Sequence, residues 1–171
     1  MEKENPLVSI ITPCYNGENV MHRLLDSILS QTYSNIEFIL INDGSTDHSE
    51  EIWYQYEKKF NEKGIKTIYI HQRNQGLGAA INAGLKVFTG DYLCWPDIDD
   101  YFEDTSVEKR VNFLETHKEY GSVSSDANQY MEDNLSEPVG TMASWLKHKE
   151  DEWQFEWLLK GQSLFCPGCH M

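Results

Sequence analysis

The chain has 171 residues, 40% of them hydrophobic, which fits one globular domain with a real core. Its formal net charge of −14 excludes general affinity for nucleic-acid phosphates, which needs clustered Lys and Arg that this sequence lacks. Apolar runs such as Phe38 to Ile41 are short beside the roughly 18 residues that cross a bilayer, and the opening MEKENPLVSI has charge and Pro6 where a secretory signal needs an apolar stretch, so a cytoplasmic chain without a membrane span is expected.

Val8-Ser9-Ile10-Ile11-Thr12 is a β-branched run expected to form a strand that ends at Pro13, which cannot donate to a ladder. Val20, Met21, Leu24, Leu25, Ile28 and Leu29 then fall at the spacing of an amphipathic helix. Ile36 to Ile41 is nearly all apolar, the pattern of a strand covered on both faces. Asn42 to Asp47 breaks it with turn formers and supplies a cap for a helix over Ser49 to Phe60. A third strand is predicted over Ile65 to His71, a third helix over Leu77 to Phe88, and a fourth strand over Tyr92 to Trp95, closed by Pro96. This alternation predicts an α/β fold, a Rossmann-like doubly wound, mostly parallel sheet with helices on both faces.

Beyond Asp100 the pattern is less regular: Val107 to His117 reads as helix, Gly121 to Tyr130 as strand, Ser136 to Thr141 as loop and Glu152 to Lys160 as helix. The mixed charge clusters Glu57 to Lys63 and Lys147 to Glu152 read as solvated helix faces. The chain stops at Cys169-His170-Met171 without a closing element, as a domain truncated at its C-terminus would. Cys166 and Cys169 form a CxxC, half of a zinc site at best, while Cys14 and Cys94 sit in strand-like segments as small buried hydrophobes.

Ligands of a parallel α/β sheet bind beyond the carboxyl ends of its strands. Those positions carry Pro13 to Glu18, then Asn42 to Ser45, then Gln72 to Gly76, then Asp97 to Asp100. Trp95-Pro96-Asp97-Ile98-Asp99-Asp100 sets three carboxylates within four residues, a crowding that a hard cation such as Mg²⁺ or Mn²⁺ relieves. An acidic turn capping the next helix is the competing explanation. Asp43 could accept from a nucleobase N–H or belong to an ordinary Asn-Asp-Gly-Ser turn, Tyr15 could stack a base or simply pack, and Arg73 could neutralise a diphosphate or be a surface arginine. Gly76-Leu77-Gly78-Ala79-Ala80-Ile81 has Ile81 where a dinucleotide fingerprint needs a small residue, so NAD binding is rejected, although the glycines allow close approach to a helix N-terminus. No HxxxH, HExxH, GxSxG or P-loop pattern is present.

Taken together, Val8 to Glu18, Leu25 to Tyr33, Asn42 to Asp47, Asn74 to Gly84 and Gly90-Asp91-Tyr92 leading into Asp97 to Asp100 resemble the inverting glycosyltransferase family 2 with its GT-A fold. The resemblance implies transfer of a sugar from a nucleotide-diphosphate donor, a UDP-sugar foremost, to an acceptor hydroxyl, with Mn²⁺ or Mg²⁺ assisting the diphosphate. It implies Pro13, Tyr15 and Asp43 around the base, Asp97 and Asp99 on the ribose and the metal-bound diphosphate, and Asn16, Glu18, Arg73, Asn74, Gly76 and Ile98 alongside. A glycan or lipid-linked acceptor, polysaccharide assembly, a homodimer and a peripheral place at the inner face of a membrane are compatible with it.

Two departures qualify the resemblance. The usual Asp-Asp of the second block is Asn42-Asp43, and the family's general base lies beyond the segment Ser163 to Met171, so no base is assigned; Asp126 and the pair Glu132-Asp133 are the acidic alternatives within the chain. The expected unit is a single GT-A domain carrying the nucleotide-sugar-binding portion. The main alternative is a nucleotide-sugar-binding module without catalysis. A nucleotidyltransferase would need a Gly-rich basic loop after the first strand, and aspartyl-phosphate chemistry would need its acidic motif there.

Overall fold

The computed structural model describes residues 5–131 and 134–141. Four strands, β1 (Val8–Cys14), β2 (Ile36–Asn42), β3 (Lys66–His71) and β4 (Tyr92–Cys94), form one parallel sheet in the order β3-β2-β1-β4. Between and after them run α1 (Met21–Leu29), α2 (Ser49–Glu62), α3 (Leu77–Gly84) and α4 (Ser106–Thr116).

Side-chain alternation along the strands builds a core on each face. Val8 and Ile10 of β1 and Phe38 and Leu40 of β2 pack with Leu24 and Ile28 of α1, Trp53 and Phe60 of α2, and Val107 and Val111 of α4. Ile11, Ile39 and Ile41, one residue out of phase, meet Ala80 of α3 on the other face. Every residue of β1 and β2 is buried, as expected for central parallel strands. Helix α3 can lie this close because a Cβ at Gly84 would stand 2.5 Å from Cγ2 of Ile11.

Three expectations are corrected. β1 runs through Pro13 to Cys14. Val8 N donates to Asn35 and Cys14 O accepts from Asp43, so even-numbered residues of β1 bond toward β2; Pro13 therefore turns its nitrogen to the β4 side, where pairing has already stopped at Ile10 with Cys94. α3 ends at Gly84, with turns carrying the chain through Phe88. The segment 121–130 yields only β5 (Asn128–Gln129), paired antiparallel with β6 (Gly140–Thr141), which lies inside the expected loop. Val123 is its one anchor in the core, and the polar residues around it stay exposed. The helix expected over Glu152 to Lys160, the CxxC and Glu132-Asp133 lie outside the described residues.

Candidate functional site at the carboxyl edge of the sheet

The loops after β1 and β2 are stitched together. Asn16 N donates to Ser45 Oγ at 3.0 Å, and Asn16 Oδ1 accepts from Thr46 N at 2.9 Å, which holds Asn16 at φ 52. Glu18 N donates to Asp47 Oδ2, and Glu18 Oε2 accepts from His48 N, both at 2.9 Å. Glu18 thus faces the start of α2, while Tyr15, at the tip of the first loop, is 54% exposed. Asp47 Oδ1 accepts from both Ser49 N and Ser49 Oγ, so the start of α2 is held from the residue before its N-cap, His48, whose own side chain makes no capping bond.

Asp43 is the hub of the second loop. It is 3% exposed, and its two oxygens accept from Gln72 Nε2 at 2.7 Å, Gln75 N at 3.0 Å and Gly76 N at 2.8 Å. Burial alone would raise its pKa; the three donors outweigh burial and hold it below the usual carboxylate range. Gly44 is required beside it, with φ +74 and a Cβ position only 2.7 Å from Asn74 N. Arg73, Asn74 and Gly76 are exposed on this strip, and Arg73 makes no ion pair among the described residues.

The fourth loop brings the carboxylates. Ile98 packs against the core and lies close to Gly17, joining this loop to the one after β1. Burial and then the charge of Asp99 push Asp97 up; burial, Asp97 and Asp99 together push Asp100 up to about 6, and no cationic side chain among the described residues opposes either shift. Among the described residues no three His, Cys, Asp or Glu side chains converge as a ready-made metal cage. Two or three crowded carboxylates nevertheless fit Mg²⁺ or Mn²⁺, which take one or two protein carboxylates and complete their shell with phosphate oxygens and water.

Asp99 and Asp100 also open onto a cavity of about 600 Å³ walled by Arg23, Tyr101, Arg110, Ser125, Asp126 and Tyr130, among others. Beyond Asp99 and Asp100, sequence reasoning singles out only Asp126 on this wall. The residues it singles out thus divide in two. Pro13 is buried inside β1, one residue before its end; Tyr15, Asn16, Glu18, Asp43, Arg73, Asn74 and Gly76 lie on the loops after β1, β2 and β3; Asp97, Ile98 and Asp99 follow β4, and of all these only Asp99 lines the cavity. Gln72 and Gln75, which fix Asp43, are not among them; their only signal is a polar run after a strand.

The chain matches Glycosyl transferase family 2 over residues 9–170. It belongs to that family. It is 44% identical over 110 residues to an uncharacterized glycosyltransferase of Rickettsia prowazekii, covering 64% of this chain and 32% of that protein. It is 46% identical over 101 residues to the glycosyltransferase GlyA of Streptococcus pneumoniae, covering 59% of this chain and 14% of GlyA. The chain therefore spans a third or less of the length of either relative. Among solved structures it resembles S. aureus TarS 1–349 in complex with UDP-GlcNAc, with TM-score 0.59 and 27% identity over 66% of this chain and 32% of that one. It shares its fold with the mannosyltransferase PcManGT of Pyrobaculum calidifontis in complex with GDP-Man and Mn²⁺, with TM-score 0.66 and 21% identity over 74% of this chain and 37% of that one. The four-stranded parallel sheet with its flanking helices is the GT-A arrangement. No helix among the described residues is long and apolar enough to cross a membrane.

Proposed function

We propose that the carboxyl edge of this sheet binds a nucleotide-diphosphate sugar, a UDP-sugar first, and that the protein transfers the sugar with inversion to the hydroxyl of a glycan or lipid-linked acceptor. The observation that carries the reading is the meeting, at one sheet edge, of an exposed aromatic, a buried carboxylate on a rigid turn, and a crowded carboxylate cluster that no described cationic side chain neutralises. Tyr15 offers a face for the base, bordered by Pro13. Asp43 has about four acceptor sites and gives three to the loop after β3, which leaves one for a base N–H. Arg73, Asn74 and the Gly76 end of α3, exposed on the same edge, would supply the positive charge a diphosphate needs, although Gly76 N itself is held by Asp43. Asp97 would meet the ribose and Asp99, with Asp97, the metal. The bound metal would stabilise charge on the leaving diphosphate. The cavity beyond Asp99 then receives the sugar and the approaching hydroxyl, whose proton needs a carboxylate acceptor.

Support for uridine comes from TarS, whose structures hold UDP and UDP-GlcNAc; PcManGT, with GDP-Man, makes guanosine the competing arm. In this reading the chain is the donor-binding portion of one GT-A domain. Calorimetric titration of UDP, GDP and dTDP, each with Mn²⁺ and with EDTA, tests it. One nucleotide should bind in a metal-dependent way; absence of binding by all three in Mn²⁺ would reject the donor site.

A further inference from the structure

A second layer of polar residues stands behind the Asp43 turn and has a fixed direction. Asn42, the last residue of β2, is 2% exposed. Its Oδ1 accepts from Ser45 N at 2.8 Å, and this backbone donor decides which way the amide faces, so Nδ2 points to Tyr69 Oη at 2.9 Å as a donor. The Tyr69 hydroxyl has one proton, and it goes to Glu50 Oε1 at 3.0 Å, an acceptor shared with Tyr54 at 3.2 Å. The row begins at a backbone N–H that can only donate and ends at a carboxylate that can only accept. Its direction cannot reverse while those two ends stay as they are. The Tyr69 ring is held in place, stacked on Trp53 at 5.9 Å and met edge-on by Tyr54 at 5.8 Å. At the far end, Ser45 Oγ accepts from Asn16 N and so connects the row to the loop that presents Tyr15.

We propose that Asn42, Tyr69 and Glu50 are positioning residues for the nucleotide site: this one-way row of hydrogen bonds holds the Asp43–Ser45 turn in register with the Tyr15–Asn16 loop. The inference rests on the donor-site reading above, and none of the three residues need touch the nucleotide. It makes a particular demand on residue 42, because a carboxylate there is nearly isosteric with the amide yet can only accept. In Asn42→Asp two carboxylates compete for the single proton of Tyr69, next to the buried Asp43. Adding Glu50→Gln reverses the row: the amide introduced at position 50 donates to Tyr69, Tyr69 donates to the carboxylate introduced at position 42, and the net charge returns to its original value.

The test uses the 171-residue chain as wild type, Asn42→Asp, Glu50→Gln and the double variant, at a temperature where all are folded. UDP affinity in Mn²⁺ is measured by calorimetry, and amide exchange of Asn16 and Ser45 by residue-resolved NMR. Asn42→Asp leaves one buried acceptor without its donor and should weaken UDP binding about tenfold and lower the protection of both amides by a similar factor. The double variant should return both to within about threefold of wild type. A role confined to stability would lower the melting temperature and leave the UDP affinity of the folded protein unchanged, which overturns the proposal. So does failure of Glu50→Gln to restore the amides. A wild type that binds none of UDP, GDP and dTDP while its amides respond as stated rejects the donor reading and leaves the positioning of the turn standing.

Discussion

Glu37 and the Asp97–Asp100 group lie at opposite ends of the same sheet, and the fold treats them in opposite ways. Glu37, the second residue of β2, has no exposed side-chain surface and accepts from Ser9 Oγ at 2.6 Å, Thr89 Oγ1 at 2.8 Å, Thr89 N and Lys66 Nζ at 2.9 Å. Burial pushes its pKa up, and these donors more than reverse the push, holding it at about 2. Ser9 in turn accepts from Gly90 N, so the knot fixes the chain that enters β4. At the carboxyl end of β4 the carboxylates have no such company, and Asp100 rises to about 6. A buried acid that serves the fold is surrounded by donors from that fold. Acids left crowded, with one backbone donor and no cationic partner to offset burial and mutual repulsion, are poised at a sheet's binding edge for a cation that arrives with a ligand.

Removing each acid should therefore damage a different property. Glu37→Ala strands the Ser9 and Thr89 donors and should destabilise the chain by about 4 kcal/mol, a fall of about 10 °C in melting temperature, with UDP affinity unchanged in the folded protein. Loss of affinity without loss of stability would break the contrast from this side.

Acid should erode the same contribution. A carboxyl whose folded pKa lies below its unfolded value stabilises the fold above the unfolded value and loses that effect as pH falls through the folded one. Glu37 moves from 4.5 to about 2, so on the order of 3 kcal/mol should disappear progressively between about pH 5 and pH 2. Urea unfolding of wild type and Glu37→Gln should show a gap at about pH 6 that narrows toward about pH 2; a gap independent of pH would mean that the donors do not recognise the charge.

Asp99→Ala should do the reverse. Metal-dependent UDP binding should weaken about 100-fold, while the melting temperature in EDTA stays the same or rises. A large drop in stability in EDTA would assign Asp99 to the turn itself, the reading in which the acidic run merely caps the next element.

How far this contrast can be read from sequence differs between its two ends. The runs Val8 to Thr12 and Ile36 to Ile41 announce central strands because burial on both faces makes them continuously apolar, and a parallel sheet then fixes which loops converge. The crowding at Asp97, Asp99 and Asp100 is local and visible at once. Glu37 is not, because its donors come from three other segments, Ser9, Lys66 and Thr89, and inside an apolar run it looks like an interruption. Pro13 misleads for a similar reason: whether a proline breaks a ladder depends on where the neighbouring strand stops. The anchoring of Asp43 depends on the backbone path of Gln72 to Gly76, and the cavity wall at Ser125 comes from a segment with little periodic signal.

The smallest effect is the most diagnostic of a site that takes up a cation. Asp100 is disfavoured in its charged form by burial and by Asp97 and Asp99, which together outweigh a backbone hydrogen bond from Asp97, and the bond from Asp100 N to Asp97 O, at 3.2 Å, does not need the carboxylate. Asp100→Asn should therefore raise stability in EDTA by about 1 kcal/mol, or about 2–4 °C, because it removes one member of a like-charge group while keeping the turn. Saturating Mn²⁺ with UDP should shrink that gain, since the cation neutralises the repulsion in the wild type that the substitution relieves. A gain of equal size with and without metal would mean that the cation does not reach these carboxylates, and the acidic run would then be only a turn.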